Sequence, residues 1–278
     1  MNFELKISVL TDNNTKRDSH LLSEHGLSFC IECDKLKLLF DTGDTDIYLK
    51  NAAKMKINLE SIDYIALSHN HYDHVGGVKY FPTHNREIKL IAEKYAFYPR
   101  VGLDYKNDLS EHAEEISEKF DIISVDSKPF KISENLIFLG AIPCLNNFEK
   151  IKTFGKLILP SGELIDDFCE DDTALIYNSQ QGLIIITGCS HSGICNITQY
   201  ATVVAEKEWG TSKVKTIIGG LHLINSGDIL MKKIVDFLRK KEISEIYPCH
   251  CTDLAAKITL TKSGLKIHEV GTGLVMHF

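Results

Sequence analysis

No apolar run in the 278-residue chain approaches 18 residues, so nothing in it reads as a membrane span. It has no excess of basic charge either: 31 Lys+Arg against 38 Asp+Glu gives a net charge of −7 and a pI near 5.9. An acidic surface argues against nucleic acid or an anionic membrane as a main partner. There is no low-complexity linker. Apolar residues at 44% and charged residues at 25% are ordinary globular values and exclude disorder, collagen and coiled coil. The eight cysteines do not form the two CxxC units of a zinc ribbon. Cys30 and Cys33, three apart on one expected strand, point to opposite faces. Most of the thiols are expected to be buried and reduced. Residues 1–7 alternate like a strand and not like a signal peptide, so a cytoplasmic location is expected.

A chain of this length buries a sizeable core without disulfides, and one domain over 1–278 is expected. Hydrophobic spacing predicts strands over 3–9, 27–33, 35–40, 63–68, 88–92, 136–139, 173–178, 183–187, 214–218 and 245–248. It predicts helices over 46–55, 110–120, 194–208 and 229–241, with a last helix-then-strand unit. Ser179-Gln180-Gln181-Gly182 reads as a hairpin turn. Strands come in runs before each helix, so the sheets are mixed and the class is α/β. The stretch 95–168 is the least regular and reads as a loop-rich, pocket-lining insertion. Its aromatics include Tyr95, Phe97, Tyr98, Tyr105, Phe148 and Phe154, which suit stacking on a flat ring.

The strongest chemical signal is Ser68-His69-Asn70-His71-Tyr72-Asp73-His74, directly after the apolar segment 64–67. In extended chain His69, His71 and Asp73 project to one side, and His74 turns in as a helix starts. Three imidazoles and a carboxylate around a strand end suit Zn²⁺, and Fe or Mn tolerably. Gly76-Gly77 lets backbone pack close to this cluster. Phe40-Asp41-Thr42-Gly43 also ends an apolar strand. A ligating histidine usually donates its second N–H to a carboxylate, and Asp41 is the candidate for that role.

With FDTG followed by SHxHxDHxGG, the chain resembles the metallo-β-lactamase superfamily. Glu24-His25-Gly26-Leu27-Ser28, Thr187-Gly188-Cys189-Ser190-His191-Ser192-Gly193-Ile194, Gly219-Gly220-Leu221-His222-Leu223 and Tyr247-Pro248-Cys249-His250-Cys251-Thr252 are similar to one subgroup. That subgroup contains the dihydropterin ribofuranosyl-aminobenzene phosphate synthase of methanogens and related bacterial metal-dependent hydrolases. The resemblance implies a four-layer αββα sandwich with mixed sheets and a dinuclear metal site, one or two zinc ions per chain. It implies His69 and His71 on one metal, Asp73 and His74 on the other, and His191 and His250 as further ligands.

The superfamily pattern has a histidine before the second-half hairpin and a bridging aspartate after it. Here these places read Asp171-Asp172-Thr173 and Cys189-Ser190-His191, so Asp172 is the candidate bridging acid. Cys189 also stands where the acid stood; as thiolate it ligates, as thiol it packs. His222 follows a strand end, where a histidine acts as proton donor to a leaving group or serves structure. The segment 140–145 lacks the acid and arginine of the subgroup near Pro143, which weakens the case for a phosphate-bearing substrate, while Phe148-Glu149 of that pattern remains and a phosphorylated or pterin-like small molecule stays among the expected substrates. Asp73 and His222 are the expected catalytic residues. The expected function is metal-dependent hydrolysis of a small-molecule ester, lactone or phosphoester. The alternatives are a transferase joining a dihydropterin-methyl diphosphate to an arylamine, and a catalytically idle ligand sensor.

Overall fold

The computed structural model of the chain describes residues 5–82, 88–102, 109–149 and 153–278. Two compact units emerge: Met1–Asp126 with Lys152–Asp171 and Gly271–Phe278, and Ser127–Ile151 with Asp172–Val270. Tyr105 lies outside the described residues.

The first unit carries a seven-stranded mixed sheet. Val275–His277, Leu5–Thr11, Ser28–Cys33 and Leu36–Phe40 pair antiparallel in that order. Asp34 and Lys35, both at positive φ (48° and 64°), close the tight hairpin between the last two, a turn whose twist matches that of the strands. Tyr64–Ala66, Lys89–Glu93 and Asp121–Val125 continue the sheet in parallel. Parallel neighbours need a crossover, and the helix Ile47–Lys54 supplies the first. Tyr48, Asn51 and Ala52 form its buried face, and Asn51 Nδ2 donates to the Leu10 and Leu22 carbonyls at 2.8 Å. The core joins Leu10, Leu39, Tyr48, Ile65, Leu67 and Leu90.

A second sheet in this unit orders Leu164–Asp167, Gly155–Ile158 and Arg100–Val101, all antiparallel. The stretch 95–168 therefore holds more regular structure than its pattern suggests. Its hairpin had a local signal, Pro160-Ser161-Gly162 between Leu157-Ile158 and Leu164-Ile165. Leu159 closes it by donating to the Glu163 carbonyl at 2.9 Å.

In the second unit Glu245–Cys249, Val214–Gly220 and Gly182–Thr187 run parallel. Ala174–Ser179, Leu136–Phe138 and Phe130–Lys131 extend the sheet antiparallel, with the expected turn between Ser179 and Gly182. Helices Ile194–Trp209, Asp228–Lys240 and Leu254–Lys262 follow the three parallel strands, and their apolar faces cover Ile176, Ile185, Ile217 and Ile246. The helix expected over 110–120 is a 3-10 turn, Leu109–His112, leading into Ala113–Lys119. Seven of the eight cysteines are buried, Cys144 is exposed, and all are unpaired by disulfides. Among the described residues no helix is long and apolar enough to cross a membrane.

Ile185 is fully buried at the centre of the second unit, whereas Ile229 is 78% exposed. Ile185→Ala should lose about 2–5 kcal/mol in urea unfolding, and Ile229→Ala less than about 0.5 kcal/mol. Equal losses would mean that the Ile185 side of this sheet is not core.

Candidate metal centre

Asp41 follows the strand Leu36–Phe40 with φ of 59° and is fully buried. Its Oδ1 accepts the Ser68 N–H at 2.7 Å, and its Oδ2 accepts from Ser68 Oγ and His74 Nδ1, each at 2.7 Å. Ser68 Oγ also lies 2.8 Å from His69 Nδ1. An ionised carboxylate only accepts, so the single hydroxyl proton of Ser68 goes to Asp41 and His69 must donate to Ser68. Both rings thereby carry their proton on Nδ1 and present Nε2 as a lone pair. Ser68 was part of the sequence motif, but its role as a proton link emerges only here.

The other members of the motif gather around this pair. The rings of His69 and His71 are 4.6 Å apart, and those of His69 and His74 are 4.2 Å apart. His71 begins the short helix Tyr72–Val75, which turns Asp73 and His74 inward. Asp73 Oδ2 lies 3.6 Å from His74 Nε2, a separation that one cation about 2.0–2.2 Å from each would bridge. His25 Nδ1 approaches the same carboxylate at 3.7 Å and the Tyr72 hydroxyl at 3.2 Å. Burial lowers the His71 pKa to about 4, against the opposing pull of Asp73 and Asp171, so this imidazole is neutral at ordinary pH. Neutral imidazole is the ligating form.

The loop that carries His69 to His71 is braced by residues with no local sequence signal. Asp171 Oδ2 accepts the Asn70 N–H at 2.6 Å, and its Oδ1 accepts Arg100 Nη2 at 2.6 Å. Arg100 Nε donates to Asp167 Oδ2 at 2.8 Å. Burial pulls the Arg100 pKa down, but Asp171 and Asp167 outweigh it and raise the pKa above its ordinary value. The Asn70 amide oxygen accepts the Leu109 N–H at 2.8 Å, which gives this residue a scaffold role. Gly77 matches its expected purpose: a Cβ there would sit 2.3 Å from the Thr42 carbonyl oxygen. That closeness lets Thr42 N–H reach the His74 carbonyl at 2.8 Å.

In the second unit, buried Asp172 accepts the Ser192 N–H at 2.9 Å and so holds the turn carrying His191. The His191 and His222 rings are 4.3 Å apart. Ser190, His222 and His250 have φ of 63°, 50° and 50°, a region that side chains other than glycine rarely enter. All three stand within three residues of a strand end. Strained backbone at such positions marks functional loops.

Of the aromatics read as pocket walls, Phe97 packs on the first unit's core, and Tyr95 and Tyr98 pack on each other. Phe148 lines a cavity of 570 Å³ beside Lys233, whose ammonium lies 5.6 Å from the Phe148 ring centre. Phe154 meets a motif histidine, its ring 5.2 Å from that of His71.

Glu93, buried at the end of the strand Lys89–Glu93, escaped the sequence reading. Burial raises its pKa to about 7, while its Oε2 accepts the Tyr95 N–H at 2.7 Å. Between pH 4.5 and 7 the folded chain keeps a proton there that the unfolded chain has lost, so stability falls as pH rises through that window. Glu93→Gln should match the parent below pH 4.5 and unfold at higher urea above pH 7. Identical pH profiles would contradict the shift.

Residues 24–205 match the metallo-beta-lactamase superfamily. The chain is 33% identical over 269 residues to the 7,8-dihydropterin-6-methyl-4-(beta-D-ribofuranosyl)-aminobenzene-5'-phosphate synthase of Methanocaldococcus jannaschii, covering 91% of this chain and 89% of that one. An uncharacterised protein of the same organism is 32% identical over 257 residues, covering 92% and 94%. A crystal structure described as a metal-dependent hydrolase of the beta-lactamase superfamily superposes with a TM-score of 0.79 at 29% identity, covering 99% of both chains. The mixed α/β sheets, the motif cluster and these relationships agree: the chain belongs to the metallo-beta-lactamase superfamily.

Proposed function

We propose that this chain is a metal-dependent hydrolase acting on an ester, lactone or phosphoester of a small molecule. The observation that carries the reading is the pair His69 and His74, both held by Asp41 and Ser68 in the tautomer protonated on Nδ1, which ligates through Nε2. The donor set fits zinc, with iron or manganese also accommodated by imidazole and carboxylate. By family position, His69 and His71 serve one cation and Asp73 and His74 a second. His191 and His250 add ligands, and Asp172 is the candidate bridging acid. When bound, the metal supplies water activated near neutral pH and polarises the oxygen under attack.

The chain's own groups do the rest. Asp41 holds His74 directly, and His69 through Ser68, in one tautomer. Asp73, beside His74 and His25, is placed to accept a proton from an attacking nucleophile. Phe154 packs against His71 and offers an apolar wall for a substrate ring.

A second reading has support of its own. The relationship to the synthase favours a transferase in which an arylamine replaces water as nucleophile on a dihydropterin-methyl diphosphate.

His71→Ala should lower metal content, measured by elemental analysis, together with turnover on a panel of esters, lactones and phosphodiesters. Parent protein purified without chelator yet free of transition metal would sink the reading. Condensation of a dihydropterin diphosphate with an arylamine, with no hydrolysis of the panel, would replace the hydrolase by the transferase. Asp41→Asn should keep the fold and weaken metal binding about 10–100-fold in chelator competition. Unchanged affinity would mean that the Asp41 contacts serve only the loop.

A further inference from the structure

Within the second unit, Cys189, His222 and Cys251 bring one ligand atom each to within 4.8 Å of the others. They come from three neighbouring parallel strands, Gly182–Thr187, Val214–Gly220 and Glu245–Cys249. Each stands two residues beyond the last residue of its strand. Three side chains at the same step past adjacent strand ends is the placement from which α/β folds build ligand sites.

The surroundings of the sulfurs point the same way. The His222 N–H donates to Cys251 Sγ at 3.3 Å, and the Cys251 thiol donates to the Cys189 carbonyl oxygen at 3.3 Å, a proton that a bound cation would displace. A backbone N–H aimed at sulfur, as at Cys251, stabilises a ligating thiolate. Gly220 makes room for the thiol: a Cβ there would sit 2.6 Å from Cys251 Sγ and 2.4 Å from the Gly188 carbonyl oxygen. The loops are fixed by Ser190 Oγ and Thr187 Oγ1, which donate to the Gly220 carbonyl at 2.6 and 2.9 Å. Cys189 and Cys251 are both buried, while His222 is exposed and keeps a path to solvent.

We propose that Cys189, Cys251 and His222 form a thiolate-rich site for a Zn²⁺-class cation, with ligands that lie outside the HxHxDH motif. A cation about 2.3 Å from each sulfur and about 2.0 Å from the nitrogen fits three atoms so spaced. Two sulfurs and one imidazole select a borderline-to-soft metal over Mg²⁺ or Ca²⁺. Each ligating thiol gives its proton to the buffer as the cation binds. Three protein ligands leave a fourth position for water or substrate. This makes His222 a ligand, where its sequence position had suggested a proton donor.

The test is a Co²⁺ titration of the full-length, chelator-stripped protein, read by thiolate-to-cobalt charge-transfer absorption in the near ultraviolet. The parent protein should show the band. Cys251→Ser and Cys189→Ser should each lower it by about half or more, and His222→Ala should weaken the binding that produces it at least about tenfold. Cys144→Ser, at the exposed cysteine, should leave it intact. Cobalt uptake with no sulfur band, or a band that survives Cys251→Ser, overturns the site and leaves the hydrolase reading standing. No cobalt uptake at all overturns both. Full cobalt uptake by His222→Ala with an unchanged band restores the proton-donor role. Should the cysteine variants fail to fold, X-ray absorption of the zinc-loaded parent decides: sulfur neighbours at about 2.3 Å support the site, and a shell of nitrogen and oxygen alone removes it.

Discussion

Everything in the first unit's histidine cluster depends on one buried carboxylate. Asp41 has no solvent to answer its charge, so the three donors that do, Ser68 N–H, Ser68 Oγ–H and His74 Nδ1–H, must be held where they are. That requirement fixes the orientation of His74 directly and of His69 through one hydroxyl. The Gly77 backbone approach and the Thr42 contacts to the His74 carbonyl exist to bring the two loops close enough for it. A buried charge that costs several kcal/mol when unpaired thus becomes a device for setting two tautomers.

Each unit then repeats a simple rule of parallel strands. Side chains with chemistry sit just past carboxyl ends: Asp41 and the HxHxDH motif in the first, Cys189, His191, His222, His250 and Cys251 in the second. The left-handed backbone at Asp41, Ser190, His222 and His250 is the local strain of these abrupt exits. It is offset by hydrogen bonds between neighbouring loops, such as Ser190 Oγ to the Gly220 carbonyl. The Arg100 pair with Asp167 and Asp171 is the same solution on a larger scale, a buried ion network that holds Asn70, and with it the motif, in register.

The motif was legible because it is local: six residues after a short apolar strand, with spacing that extended chain converts into one face. The strands and the helices after them were legible for the same reason, through periods of two and 3.6. The hairpin Gly155–Ile158 with Leu164–Asp167 was harder to read: Pro160-Ser161-Gly162 marks its turn, but its strands are four residues long and carry charge on an exposed face. Arg100 was invisible because its partners lie 67 and 71 residues away. Cys251 likewise meets the Cys189 backbone across 62 residues. In both cases a pattern within one window cannot report a contact that only the sheet order creates.

The account rests on Asp41 and Ser68 setting the proton positions of His69 and His74. Long-range ¹⁵N–¹H correlation spectra of metal-free, ¹⁵N-histidine-labelled protein at neutral pH measure this directly. The account predicts that both rings are neutral with the proton on Nδ1 and an unprotonated Nε2, and that His74 loses this preference in Asp41→Asn. A proton found on Nε2 of either ring in the parent protein would contradict it.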